Sequence, residues 1–131
     1  MMVYSKYVLN AYTQTMVETT NPLEHVILLY DGAIESLNRA IVAIRRKEVQ
    51  GKIKNLNKAM VIVEGLLNSL NPDMCGEDSL ALNLQELYLY MMRELTLANT
   101  RNDENRIDHI TGILKELREA WVQVKNGIPG I

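Results

Sequence analysis

The chain has 131 residues, 47% of them hydrophobic, and a formal net charge of −2, enough for one domain with a real core and no bias toward nucleic acid or an anionic membrane as partner. The lone Cys75 excludes an internal disulfide and supplies no metal cluster, which predicts a reduced, cytoplasmic setting. No apolar run approaches the ~18 residues of a membrane span, and the N-terminus is interrupted by polar residues too often for a signal peptide.

In chain order, the first twenty residues come first. Tyr4, Tyr7, Val8, Ala11, Tyr12 and Thr15 or Met16 recur at helical spacing and give a short amphipathic segment. A helix this short is marginal alone and needs a surface. It is either a fifth helix packed permanently on the domain or a detachable plug in a groove that a partner fills.

Asn21, Pro22 and Glu24 form a helix start: a capping side chain, a proline at the first helical position and a capping-box acid. The first helix follows, with Ile27, Tyr30, Ile34, Leu37, Ile41 and Ile44 alternating spacings of three and four. Gly32 sits inside it, where glycine costs about 1 kcal/mol against alanine. Arg45, Arg46 and Lys47 close it with charges that suit a helix C-terminus. The second helix repeats the pattern through Val49, Ile53, Leu56, Met60, Val63, Leu67 and Leu70, and Asn71-Pro72 ends it. The third runs from about Ser79 to Asn99, with Leu80, Leu84, Leu87, Met91 and Ala98 on the seam. After the turn Thr100–Asp103, the fourth carries Ile107, Ile110, Leu114, Leu117, Trp121 and Val124, and Gly127 and Pro129 stop it.

Short connections make consecutive helices antiparallel. The expected fold is all-α: a single domain over residues 1–131, an up-down-up-down four-helix bundle with a short N-terminal amphipathic segment (1–20). Glu48 with Lys52 and Glu35 with Arg39 have favourable i,i+4 spacing. Beyond the seam, Val26, Ala33 and Ala40 widen the apolar stripe of the first helix, Ala59, Ile62 and Leu66 the second, Tyr88, Met92 and Leu95 the third, and Ile113 and Ala120 the fourth. A stripe of this breadth is normal for the buried face of a globular helix, and that is the ordinary reading of any one of these residues. With several helices widened at once, the other reading is that some of this surface is left as apolar grooves for another chain.

Catalytic and metal sites fail on spacing. Three residues before His25 stands Pro22, and three before His109 stands Arg106, so no Glu-x-x-His di-iron pair exists. There is no zinc spacing, dinucleotide fingerprint or Walker loop, and the acids beside Cys75 would raise rather than lower its pKa. The expectation is a protein that is not an enzyme and needs no cofactor. The competing reading is a phosphorelay bundle using His25 or His109, although neither is followed by the Lys and small residue that phosphotransfer domains usually place there.

Three stretches carry a resemblance: NPLEHVILLYDGA at 21–33, NLQELYLYM at 83–91 and LREAW at 117–121. In this order, over almost the whole chain, the sequence resembles the FliS family of flagellar secretion chaperones. It departs from that family at Cys75-Gly76-Glu77, where Gly-Gly-Glu is common, and at Lys47, where a glycine often stands. The resemblance implies a cytoplasmic export chaperone that holds the disordered C-terminal segment of flagellin. It would prevent premature polymerisation and aid delivery to the flagellar type III apparatus, with export-gate or regulatory proteins as further partners. The protein itself is expected as a monomer or weak homodimer. Client-binding residues are expected among the flanking apolar positions Ala59, Ile62, Leu66, Tyr88, Met92 and Leu95, with the adaptable thioethers of Met60 and Met91 lining the same groove. The resemblance also implies that the segment around Tyr7 and Tyr12 covers part of the groove until the client arrives.

Overall fold

The computed structural model describes residues 22–70 and 80–127. Four helices fill them: α1 (Pro22–Arg45), α2 (Val49–Asn68), α3 (Leu80–Arg101) and α4 (Glu104–Lys125). Each helix packs on the next, and α1 closes the ring against α4. This is the expected antiparallel four-helix bundle. The cap expected at Asn21 and the N-terminal segment with Tyr7 and Tyr12 lie outside the described residues, as does Cys75.

Both turns at one end of the bundle use the same device. Lys47 (φ 58°) and Asn102 (φ 51°) adopt the left-handed conformation that ends a helix. The next residue then donates to the carbonyl five residues back: Glu48 N–H to Ala43 at 2.8 Å and Asp103 N–H to Ala98 at 3.1 Å. Asp103 also caps α4, accepting from the Arg106 backbone N–H at 3.1 Å. That bond, assisted by the Arg106 guanidinium, holds the Asp103 carboxyl below the ordinary carboxylate value. Its contribution to stability is therefore present above that ordinary value and is lost as pH falls through the lowered one. Arg106 reaches on to Glu94 at 3.1 Å and so ties α4 to α3.

The α1–α4 seam is written in charge. Glu24 pairs with Lys125 at 2.9 Å, Asp31 with Arg118, and Arg45 with Glu104 at 2.9 Å. The partners step by multiples of seven along both helices in opposite directions, so only one antiparallel register satisfies all three. These pairs are partly or well exposed, and their worth lies in setting that register more than in raw stability. Lys52, spaced to pair with Glu48, donates instead to the Asn99 carbonyl at 2.9 Å and Asn102 Oδ1 at 2.6 Å, fastening α2 to the turn after α3.

Gly32 and its two predecessors explain one another. Tyr30, fully buried, hydrogen-bonds through its hydroxyl to that of Tyr88 on α3, across the bundle's diagonal. Asp31 reaches Arg118 on α4. A Cβ on Gly32 would lie 3.3 Å from Cδ1 of Ile62 on α2. Three consecutive residues of α1 thus address three different helices. Gly65 and Gly112 have no such reason, since a Cβ at either meets nothing within 4 Å. Gly65→Ala with Gly112→Ala is expected to raise stability by about 1 kcal/mol per site, read as a higher melting temperature in circular dichroism.

The core differs in phase from the periodicity. In α1 the buried apolar side chains are Val26, Ile27, Tyr30, Ala33, Leu37, Ala40 and Ala43, while Ile34, Ile41 and Ile44 are only half-buried. In α2, Leu56, Ala59, Val63 and Leu66 are buried, as is Leu70 just beyond its end, and Met60 and Leu67 are not fully so. The reason is close approach of α1 and α2. Besides the contact at Gly32, a Cβ on Gly51 would lie 3.4 Å from the Ala43 Cβ. Small side chains let the backbones draw together, and the larger neighbours one position along are displaced toward the rim. In α4 the periodicity and the structure agree except at half-buried Leu117.

Candidate functional site

The eight apolar residues expected to meet a client do not form one surface. Ala59, Leu66, Tyr88, Met91 and Leu95 are fully buried in the bundle core, with no exposed area in the described structure. This corrects the expected sorting of seam from flank: in α2 and α3 the row through Ala59 and Leu66, and the row through Ala81, Tyr88 and Leu95, point to the centre. The remaining three are half-buried at the rim. Ile62 packs beside Gly32 on the α1–α2 side. Met60 and Met92 flank the other seam, because the Lys52 contact with Asn99 fixes an antiparallel register that brings them level.

The α3–α4 seam carries a longer apolar row. Glu94 with Arg106, and Tyr90 with His109 in an edge contact at 6.2 Å, fix its register. Continuing that register places Leu87 opposite Ile113, Asn83 opposite Leu117 and Leu80 opposite Ala120. All six are half-buried except Asn83, which is exposed. Asn83, Glu86, Leu87 and Tyr90 line a shallow depression of about 400 Å³ on α3. The Arg93 guanidinium lies 5.7 Å from the Tyr90 ring centre and borders it with positive charge. Of these residues, periodicity alone places Leu80, Leu87 and Leu117 on the interior seam, and the structure sets them at the rim. The signal against that assignment is Glu94, the next member of the Leu80–Leu87 row, since a carboxylate cannot continue a central stripe.

Chemically, these seams offer apolar contact with few polar anchors. Among the described residues no group of three or more His, Cys, Asp and Glu is placed to hold a metal ion. His25 and His109 are both exposed. No described helix is long and apolar enough to cross a membrane. Covering the exposed parts of Leu80, Leu87, Tyr90, Ile113 and Leu117 would contribute on the order of 1 kcal/mol each, which is enough for a segment that supplies matching apolar positions.

Comparison with known proteins places this arrangement. The chain is similar to the flagellar secretion chaperone FliS of Salmonella typhimurium, 37% identical over 127 residues and covering 93% of both chains. It is 33% identical to the Campylobacter jejuni flagellar secretion chaperone FliS, covering 89% of this chain and 90% of that one. The Bacillus subtilis flagellar secretion chaperone FliS is 33% identical, with coverage of 86% and 82%. A crystal structure of a bacterial flagellar chaperone superposes with a TM-score of 0.75 at 21% identity, covering 96% of this chain and 97% of that one, and shares its fold. A family model described as flagellar protein FliS matches residues 5–127. With nearly the whole chain matched and several relatives above 30% identity, the protein belongs to the FliS family.

Proposed function

We propose that this chain is a cytoplasmic export chaperone that sheathes the C-terminal segment of flagellin, blocks its premature polymerisation and hands it to the flagellar type III apparatus. The observation that supports this most is the open α3–α4 seam, where Leu87 faces Ile113 and Leu117 lies further along, beside the Met60–Met92 pair on the neighbouring seam. A disordered segment with apolar residues at helical spacing can lay them along such seams. Its ordering cost lowers affinity per unit area, which suits a cargo that must later be released. No step of this function requires bond chemistry or a cofactor. Export-gate and regulatory proteins are the further partners of this reading, and a monomer or weak homodimer is its working form.

In the same reading, the segment with Tyr7 and Tyr12 covers part of a seam in the free protein. Calorimetry and size-exclusion chromatography with a synthetic flagellin C-terminal peptide test both parts. The full chain is expected to form a one-to-one complex, and a chain beginning at Thr19 is expected to bind more tightly with its helicity intact. Absence of a complex overturns the chaperone reading. Unchanged affinity in the shortened chain, or loss of its cooperative melt, removes the covering segment alone.

A further inference from the structure

At the end of the bundle where α1 turns into α2 lies a pocket of about 340 Å³ that belongs to neither apolar seam. Ala43, Ile44 and Val49 give it apolar walls, and Val49 is 60% exposed at its mouth. Lys47, Glu48 and Lys52 supply its charges.

The surroundings are strongly biased. Residues 45–54 hold five cations and one acid, in a chain whose net charge is −2. Arg45 is engaged by Glu104, and Arg46 lies 4.0 Å from Glu48. The hydrogen bonds of Lys52 go to the neutral oxygens of Asn99 and Asn102, so its charge is not cancelled by them. Lys47 stands at φ 58°, a conformation that glycine adopts without strain and a lysine does not. We propose that this pocket is a second docking site, for an acidic segment of a partner protein that inserts an aliphatic side chain between its carboxylates. The apolar walls take the anchor, and the surrounding cations take the acids and steer their approach. A free fatty acid or plain anion would use only half of this, whereas an acidic peptide with a leucine uses both.

The test is a titration of the full ¹⁵N-labelled chain with the peptide Asp-Glu-Asp-Leu-Leu-Asp-Glu-Asp, and with the same peptide carrying serines in place of the leucines. Saturable shifts are expected at Ala43, Ile44, Val49 and Lys52, with the serine peptide about tenfold weaker for loss of its anchor. Lys47→Gly is expected to raise the melting temperature and yet weaken the peptide several-fold, opposite signs that a purely structural lysine would not give. Equal binding of the two peptides overturns the proposal, as do shifts confined to Leu87, Tyr90 and Ile113, or no saturation. Binding to phosphatidylglycerol vesicles with none to the peptide overturns it in favour of a lipid surface. None of these outcomes depends on whether the flagellin peptide binds.

Discussion

Leu95→Asp is expected to abolish the cooperative thermal transition, while Leu87→Asp leaves the bundle folded and weakens a flagellin C-terminal peptide by at least about tenfold. Leu95 is fully buried, so the substitution removes a packed leucine and places a carboxylate where nothing pairs with it. The first effect alone costs about 2–5 kcal/mol, and the unpaired charge adds several more. Together they rival the whole stability of a domain this size, about 5–15 kcal/mol. Leu87 lies half-exposed on the α3–α4 seam, and a carboxylate there reaches water. Circular dichroism melts and peptide calorimetry on the two variants separate fold from function. A folded Leu95→Asp protein, or an unfolded Leu87→Asp protein, would reverse the assignment of these two positions.

Ala40→Leu and Ala59→Leu should each destabilise by about 1–3 kcal/mol in urea unfolding, although both enlarge an apolar side chain. Each alanine is fully buried, and the small contacts at Gly32 and Gly51 show how little space separates α1 from α2. Ile41→Leu and Met60→Leu, one residue along, are expected to cost less than about 1.5 kcal/mol because the rim can adjust. If the alanine variants are as stable as the parent, the α1–α2 interface is looser than its geometry implies.

The bundle itself was legible because helix starts, stops and a seven-residue apolar rhythm are strong local signals. Glu104–Lys125 begins at its Asp103 cap, and Lys47 closes α1 where a turn was expected. The rotational phase of each helix was harder to read. In α3 both the Leu80–Leu87 row and the Ala81–Tyr88–Leu95 row are apolar, and periodicity does not choose between them. Packing does, since alanine permits the closest approach while contributing least to any hydrophobic pattern. The expected client residues therefore divided, with five in the core, Met60 and Met92 on one rim and Ile62 on another. Tyr7 and Tyr12 fall outside the described residues. The α1–α4 ion pairs are not legible for a different reason: Asp31 and its partner Arg118 are 87 residues apart, Glu24 and Lys125 further still, and spacing rules for single helices do not cross that distance.

The three contacts of Tyr30, Asp31 and Gly32 bear on a hazard that the proposed function would bring, since a protein that embraced helical cargo would meet segments patterned like its own helices. A client with the same apolar rhythm could displace one of the bundle's own helices and be trapped as a counterfeit strut. An intruding segment would match hydrophobic periodicity easily. It would not also offer, at one level, a hydroxyl to Tyr88, a carboxylate to Arg118 and a missing side chain beside Ile62. That combination makes α1 recognisable to its siblings by more than greasiness, and under the proposed function it would keep a client on the outside of the bundle, from which it could leave.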